Sequence, residues 1–349
     1  MILRHRRQPL RDVPSCTHHG LSIALLSFAS LVACSGEQTG TSDSSTSTST
    51  SDGAGASGGA GEGGRGDGGD GGAGAGPIQG DFCSTCGAIV TTGRIANNDL
   101  DEASGLAASA IHPNAFYTHQ DAGNPAEVFI VGVNGSNLGV ITLEGAASVD
   151  YEDIACAPCS SGSCVFVGDI GDNDTARATY TIYRFPEPAA IGPNQTIAVD
   201  AFPFTYPDGT HNAETLLVHP VTGLITVVTK VSSGPSSVYE ITLPGTPGTA
   251  STAVKVGTIT QRAGSPRFTG GSVHPEARGV LLRTSTHAFF YAMDPGERVA
   301  EALQRTPCIA PVADEDQGEA IAWTADGRGY VTVGEGKREY LHAVTCSAP

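Results

Sequence analysis

Beyond about residue 88 the chain is a succession of short apolar runs broken by turns rich in Gly, Pro, Asn and Asp. Runs of this length, alternating or wholly apolar, predict β-strands, and almost no stretch shows the 3.6-residue period of a helix. The runs also repeat. "DEASGLAASAIHPNAFYTHQDAG" from Asp101, "YEDIACAPCSSGSCVFVGDIGDN" from Tyr151 and "AETLLVHPVTGLITVVTK" from Ala213 share one pattern, as do "TGGSVHPEARGVLLRT" from Thr269 and "GEAIAWTADGRGYVTVGEG" from Gly318. Each has an apolar strand, a turn, and a second strand ending in a polar or charged residue. Two further strand-like runs follow in most units, for example "EVFIVGV" with "LGVITLEG" and "YTIYRF" with "QTIAVDAFPF".

Four-stranded units in series predict an all-β fold, a β-propeller. The heads of the units, Glu102, Glu152, Glu214, Thr269 and Glu319, are spaced by 50, 62, 55 and 50 residues. Five blades are predicted, or six if the long insert after Asp172 hides a degenerate unit. The last unit lacks a fourth strand after "YLHAVTC". The N-terminal run at about 88–95 is expected to supply it and close the ring, which removes an open sheet edge. A β-sandwich or open solenoid accounts less well for the repeat and the split blade.

This architecture explains an otherwise costly stretch, "VDYEDIA" from Val149. A carboxylate at the head of a buried strand needs a partner, a metal or a solvated rim. Glu102, Glu152, Glu214 and Glu319 are expected to converge on one mouth of the central channel, with Thr269 breaking the ring. Second strands return to that face and end near Asp121, Asp169, Lys230, Arg283 and Glu335, a candidate ligand-binding rim. Clustered carboxylates cannot all ionise cheaply, and Ca²⁺ accepts six to eight oxygens in loose geometry. Calcium held by Glu102, Glu152, Glu214, Glu319 and Asp169 is therefore one expectation. The other is that each Glu orders its own blade.

Upstream residues change the setting. Arg4, Arg6, Arg7 and Arg11 precede an apolar run, Leu21 to Ala33, too short to span a bilayer as a helix. "LVAC" at Leu31 to Cys34 resembles a bacterial lipobox, which implies a signal peptide over 1–33 and lipidation of Cys34. Ser35, not Asp, then points to an outer membrane. Residues 34–81 are Ser/Thr-rich, then Gly-rich, a composition expected to form a disordered tether reaching about 35–40 Å. The predicted propeller domain is 82–349. Net charge is −17 and only three Lys occur, Lys230, Lys255 and Lys337. Nucleic acid is excluded as a partner, since phosphate binding needs a basic footprint. An anionic membrane surface is repelled, so the lipid is the only expected membrane contact. A monomer in the cell envelope, outside the cytoplasm, is expected.

"YEDIA", "GDIGDN", "AETL" and "GEAIAW" resemble the recurring patterns of a group of uncharacterised bacterial secreted propellers. More distantly the arrangement is similar to calcium-dependent propeller hydrolases, the lactonase and phytase-like groups. That resemblance implies the fold and metal use, and their catalytic motifs have no counterpart here.

Other constellations are weaker. "GDIGDND" offers Asp169, Asp172, Asn173 and Asp174, but Asp/Asn/Gly clusters are also ordinary turn chemistry. His119 or Asp121 is the candidate general base beside a metal. No G-x-S-x-G, H-E-x-x-H or P-loop occurs. In an exported chain Cys83, Cys86, Cys156, Cys159, Cys164, Cys308 and Cys346 are disulfide candidates. A bridge from Cys83 or Cys86 to Cys346 would lock the closing strand, a second would fall among Cys156, Cys159 and Cys164, and one thiol would be left over. Zinc on Cys83, Cys86, Cys156 and Cys159 is the lesser alternative. Two functions follow: a binding module for a protein or small molecule over a metal-organised rim, or a metal-dependent hydrolase (esterase, lactonase or phytase-like). The first is favoured because no nucleophile–base pair stands out.

Overall fold

The structure is a computed structural model that describes residues 82–347 and Pro349. The predicted signal segment, Cys34 and the tether lie outside the described residues. The rest forms five sheets, each with four antiparallel strands, the blades of a β-propeller. The innermost strands are Ala103–Ala108, Tyr151–Cys159, Ala213–Val218, Phe268–Val273 and Gly318–Trp323, for blades 1 to 5 in order. They read as almost wholly buried runs because both of their faces are covered by neighbouring blades. Apolar clusters fill each space between adjacent blades, for example Tyr117, Ile130, Tyr151 and Phe185 between blades 1 and 2.

Blade 5 closes the ring as the sequence predicts. Strand Val90–Arg94 pairs antiparallel with Tyr340–Thr345, Val90 opposite Ala343 and Arg94 opposite Tyr340. Disulfides Cys86–Cys346 and Cys83–Cys308 pin the chain just before that strand, and Cys159–Cys164 staples a hairpin. Among the described residues Cys156 is the free thiol. The three bridges leave no set of four thiolates for zinc. Thr345 lies opposite Gly329, the start of the second strand, whereas Glu319 sits at the other end of the blade. Phe82, the first described residue, therefore enters the disc from the face away from the heads of the inner strands.

The insert after Asp172 holds no sixth blade. Its run "QTIA" was expected within the fourth strand of blade 2. Instead Asn194–Ala198 crosses to blade 1 and pairs in parallel with Asn137–Glu144, and the fourth strand is Asp200–Thr205. Ser251–Thr252 likewise pairs in parallel with Asp200–Thr205. Each strap covers the outer edge of the preceding blade, an edge that would otherwise be open for pairing.

The recurrent "VHP" marks turns on the face away from the strand heads. Nδ1 of His219 accepts the N–H groups of Val221 and Thr222, and Nδ1 of His274 accepts that of Glu276. These histidines cap turns.

Candidate metal centre at the channel rim

Every inner strand carries a register shift at its head: between Ala103 and Leu106, Tyr151 and Asp153, Ala213 and Thr215, Phe268 and Gly270, and Gly318 and Ala320. Such bulges re-aim the extra residue. The residues so placed are Glu152, Glu214, Thr269 and Glu319, and in blade 1 the equivalent place belongs to Ser104. Glu102, which the repeat pattern aligned there, lies two residues upstream and is exposed. Ser104 and Thr269 serve the ring differently. Ser104 Oγ donates to the Glu152 carbonyl at 2.7 Å and Thr269 Oγ1 to the Glu319 carbonyl at 2.9 Å, each tying its blade to the next.

Around the bulges the acids gather. Asp121, Asp150 and Glu152 each offer one oxygen, all within 4.8 Å of one another. Asp121 follows the second strand of blade 1 and is partly exposed, while Asp150 and Glu152 head blade 2 and are 8% and 2% exposed. Asp150 Oδ1 has no hydrogen-bond partner. The backbone of "GDIGDN" is folded tightly over the pair. A Cβ on Gly171 would stand 2.2 Å from Glu152 Oε1 and 2.5 Å from Asp150 Oδ2, so only glycine leaves these oxygens room.

The field is strongly negative. Burial first, then the charge of Asp121, pushes Asp150 up to about 6. Burial and neighbouring acids likewise hold Glu152, Glu214, Glu319 and Glu335 above the ordinary carboxylate range. Asp121 contributes to all of these, which makes it the common neighbour. Lys230 is the cation in their midst. Its ammonium bonds Glu214 Oε1, and the acids around it raise its pKa against the effect of burial. Glu214 Oε2 is buried and has no partner.

Other predicted rim residues are placed differently. Asp169 is not open for a ligand: it pairs with Arg177 at 2.8 Å and accepts the Asp150 N–H at 3.0 Å. It positions Asp150. Arg283 lies two residues deeper than the rim position, which in blade 4 is Ser285, and is fully buried in an ion pair with Glu315 at 2.5 Å. His119 is enclosed between blades 1 and 2, edge-on to Tyr151, and burial lowers it to about 4. Asp172 is occupied by the N–H groups of Ala176 and Arg177 and the Tyr180 hydroxyl, which makes the second half of "GDIGDND" a turn rather than a calcium loop.

Asp153 closes the channel beneath the rim. Its Oδ2 accepts the N–H groups of Leu216 at 2.9 Å and Gly271 at 3.3 Å, and Oδ1 accepts that of Ile154 at 2.9 Å. One carboxylate thus links blades 2, 3 and 4. Gly105 leaves it space, since a Cβ there would lie 2.8 Å from the Asp153 Cα. Beyond this plug is an apolar cavity of about 130 Å³ lined by Ala107, Ile154, Cys156, Leu216 and Trp323, away from the acids.

Asp150 was missed in the sequence. It stands two residues before Glu152, just ahead of strand Tyr151–Cys159, at a position that no other unit, as the repeat pattern aligns them, fills with an acid.

No known family matches the chain, and no curated protein does. Among solved structures it is similar to a gluconolactonase from Xanthomonas campestris, at 8% identity over 76% of this chain and 91% of that one, with a TM-score of 0.43. At that level of likeness the chemistry of the rim rests on this chain's own residues.

Proposed function

We propose that the protein is a binding module, lipid-anchored through Cys34 in the cell envelope, whose rim holds a hard divalent cation. The observation that carries this reading is the convergence of Asp121, Asp150 and Glu152 on one point, with a buried Asp150 oxygen left unpartnered and Gly171 making room. Unpartnered buried carboxylates are unstable unless neutralised. Calcium suits the donor set: its bonds to oxygen are about 2.4 Å, two of them span the observed separation, and it tolerates an irregular shell completed by water. Because Phe82 enters the disc from the opposite face, an anchored disc can present this rim away from its membrane.

The hydrolase reading uses the same ion but needs a base beside it. His119 is shut away from the rim, and Asp121 is itself one of the three converging acids, so binding is favoured.

The test is metal analysis of the purified protein, with calcium titration followed by thermal melting. Calcium should raise the melting temperature of the wild type and leave Glu152→Gln unmoved. Equal responses in both would remove the rim as the site. Calcium-dependent turnover of esters or lactones, abolished in Asp121→Asn, would shift the reading to the hydrolase.

A further inference from the structure

We propose that the rim takes an organic cation, a primary ammonium or guanidinium group, over the calcium. This rests on the cation-site reading above and names the ligand class of the same site.

The argument is one of charge and of an unused acceptor. Asp121 lies within electrostatic reach of Asp150, Glu152, Glu214, Glu319 and Glu335, Glu214 also of Glu152 and Glu319, and Glu102 of Glu335, with Lys230 the cation among them. The bordering cations are already engaged, Arg177 with Asp169, Arg283 with Glu315 and Lys337 with Asp101. One divalent ion on Asp121, Asp150 and Glu152 therefore leaves an excess of carboxylates. Glu214 supplies the specific contact. Its side chain is 3% exposed, Oε1 holds the Lys230 ammonium, and Oε2 has no partner although it is buried in the cluster. Removing such an oxygen from water without a donor is costly. The Lys230–Glu214 pair shows that this part of the ring already accommodates an ammonium on one oxygen. A second N–H donor on Oε2, with Glu319 alongside, satisfies the remaining acceptor. An anion meets the opposite field, so phosphate, carboxylate or polyphosphate ligands are disfavoured.

Calorimetric titration of the full chain in calcium-saturated buffer tests this. The probes are n-butylammonium, arginine amide and a lysine-rich peptide, against butyrate and inorganic phosphate. The cations should bind, with affinity at least tenfold weaker in Glu214→Gln and unchanged in Glu144→Gln, an exposed acid on the outer edge of blade 1. Should Glu214→Gln fail to fold, Glu319→Gln gives the same readout. Tighter binding of the peptide than of the free amine would identify a polypeptide as the source of the cation, and comparable binding a small molecule. Anions binding as well as cations, equal weakening in Glu144→Gln, or no cation binding would overturn the inference. Calcium occupancy measured in the same samples separates the two claims. Calcium bound without amine binding sinks only the organic cation, and amine binding without calcium sinks only the metal.

Discussion

Asp150→Asn should make the calcium-free protein more stable and calcium useless to it. Burial and the neighbouring acids raise the Asp150 carboxyl from 3.8 to about 6. A carboxyl raised in the folded state is at no disadvantage below its unfolded pKa, and stability is lost as pH rises through the folded value. The affected window is thus about pH 4 to 6. The difference corresponds to roughly 3 kcal/mol, and solvent screening at the open side of the rim reduces it to about 1–2 kcal/mol. Asn keeps the shape and the backbone N–H bond to Asp169 but carries no charge. With chelator at pH 8 the variant should melt higher by about 2–8 °C for a domain of this size. At pH 4.5 the advantage should shrink. Calcium at a hundredfold excess over its dissociation constant should add about 2.7 kcal/mol to the wild type and little to the variant. Melting curves with chelator and with calcium, at both pH values, decide the matter. A variant that melts below the wild type at pH 8 with chelator would refute the reasoning, because Asp150 would then stabilise the empty fold.

Three other perturbations separate the roles of the rim. Gly171→Ala should abolish calcium-induced stabilisation, since the new methyl falls on the Glu152 and Asp150 oxygens; unchanged calcium affinity by titration would contradict the proposed geometry. Asp153→Ala removes the acceptor of three backbone N–H groups and should cost about 3 kcal/mol or more in a denaturant melt, with calcium affinity of the surviving folded protein unchanged. Replacing Cys86 and Cys346 by Ser frees a link across 260 residues and should lower stability by about 2–5 kcal/mol, whereas loss of Cys159–Cys164, only 5 residues apart, should matter much less in the same melt.

The blades and their closure were legible because the repeat period and the apolar runs are set by packing on both faces of every inner strand. The convergence of Glu152, Glu214 and Glu319 was legible for the same reason, since equivalent residues of a closed ring must meet. What the pattern hides is the bulge. A shift of one or two residues cannot be seen in an alignment of apolar runs, so Glu102 took the place that Ser104 occupies, and Arg283 was read as a rim residue when it lies two residues deeper. Asp150 is hidden for another reason: in the repeat as the sequence aligns it, no other blade carries an acid at that position. The parallel strap Asn194–Ala198 was equally invisible, as its sequence suits a strand in either blade. His119 shows the limit of residue type as a guide: an imidazole beside an acid reads as a base, yet its surroundings are the packed space between two blades.

The central claim is that Asp121, Asp150 and Glu152 form a cation site. Its most direct measurement is an anomalous difference map from a crystal of the calcium-binding form soaked in Mn²⁺, which substitutes for Ca²⁺ on oxygen ligands and scatters anomalously. The account predicts one strong peak bounded by these three carboxylates beside Gly171. A map with no peak there, or with peaks only at exposed acids elsewhere on the disc, would contradict it.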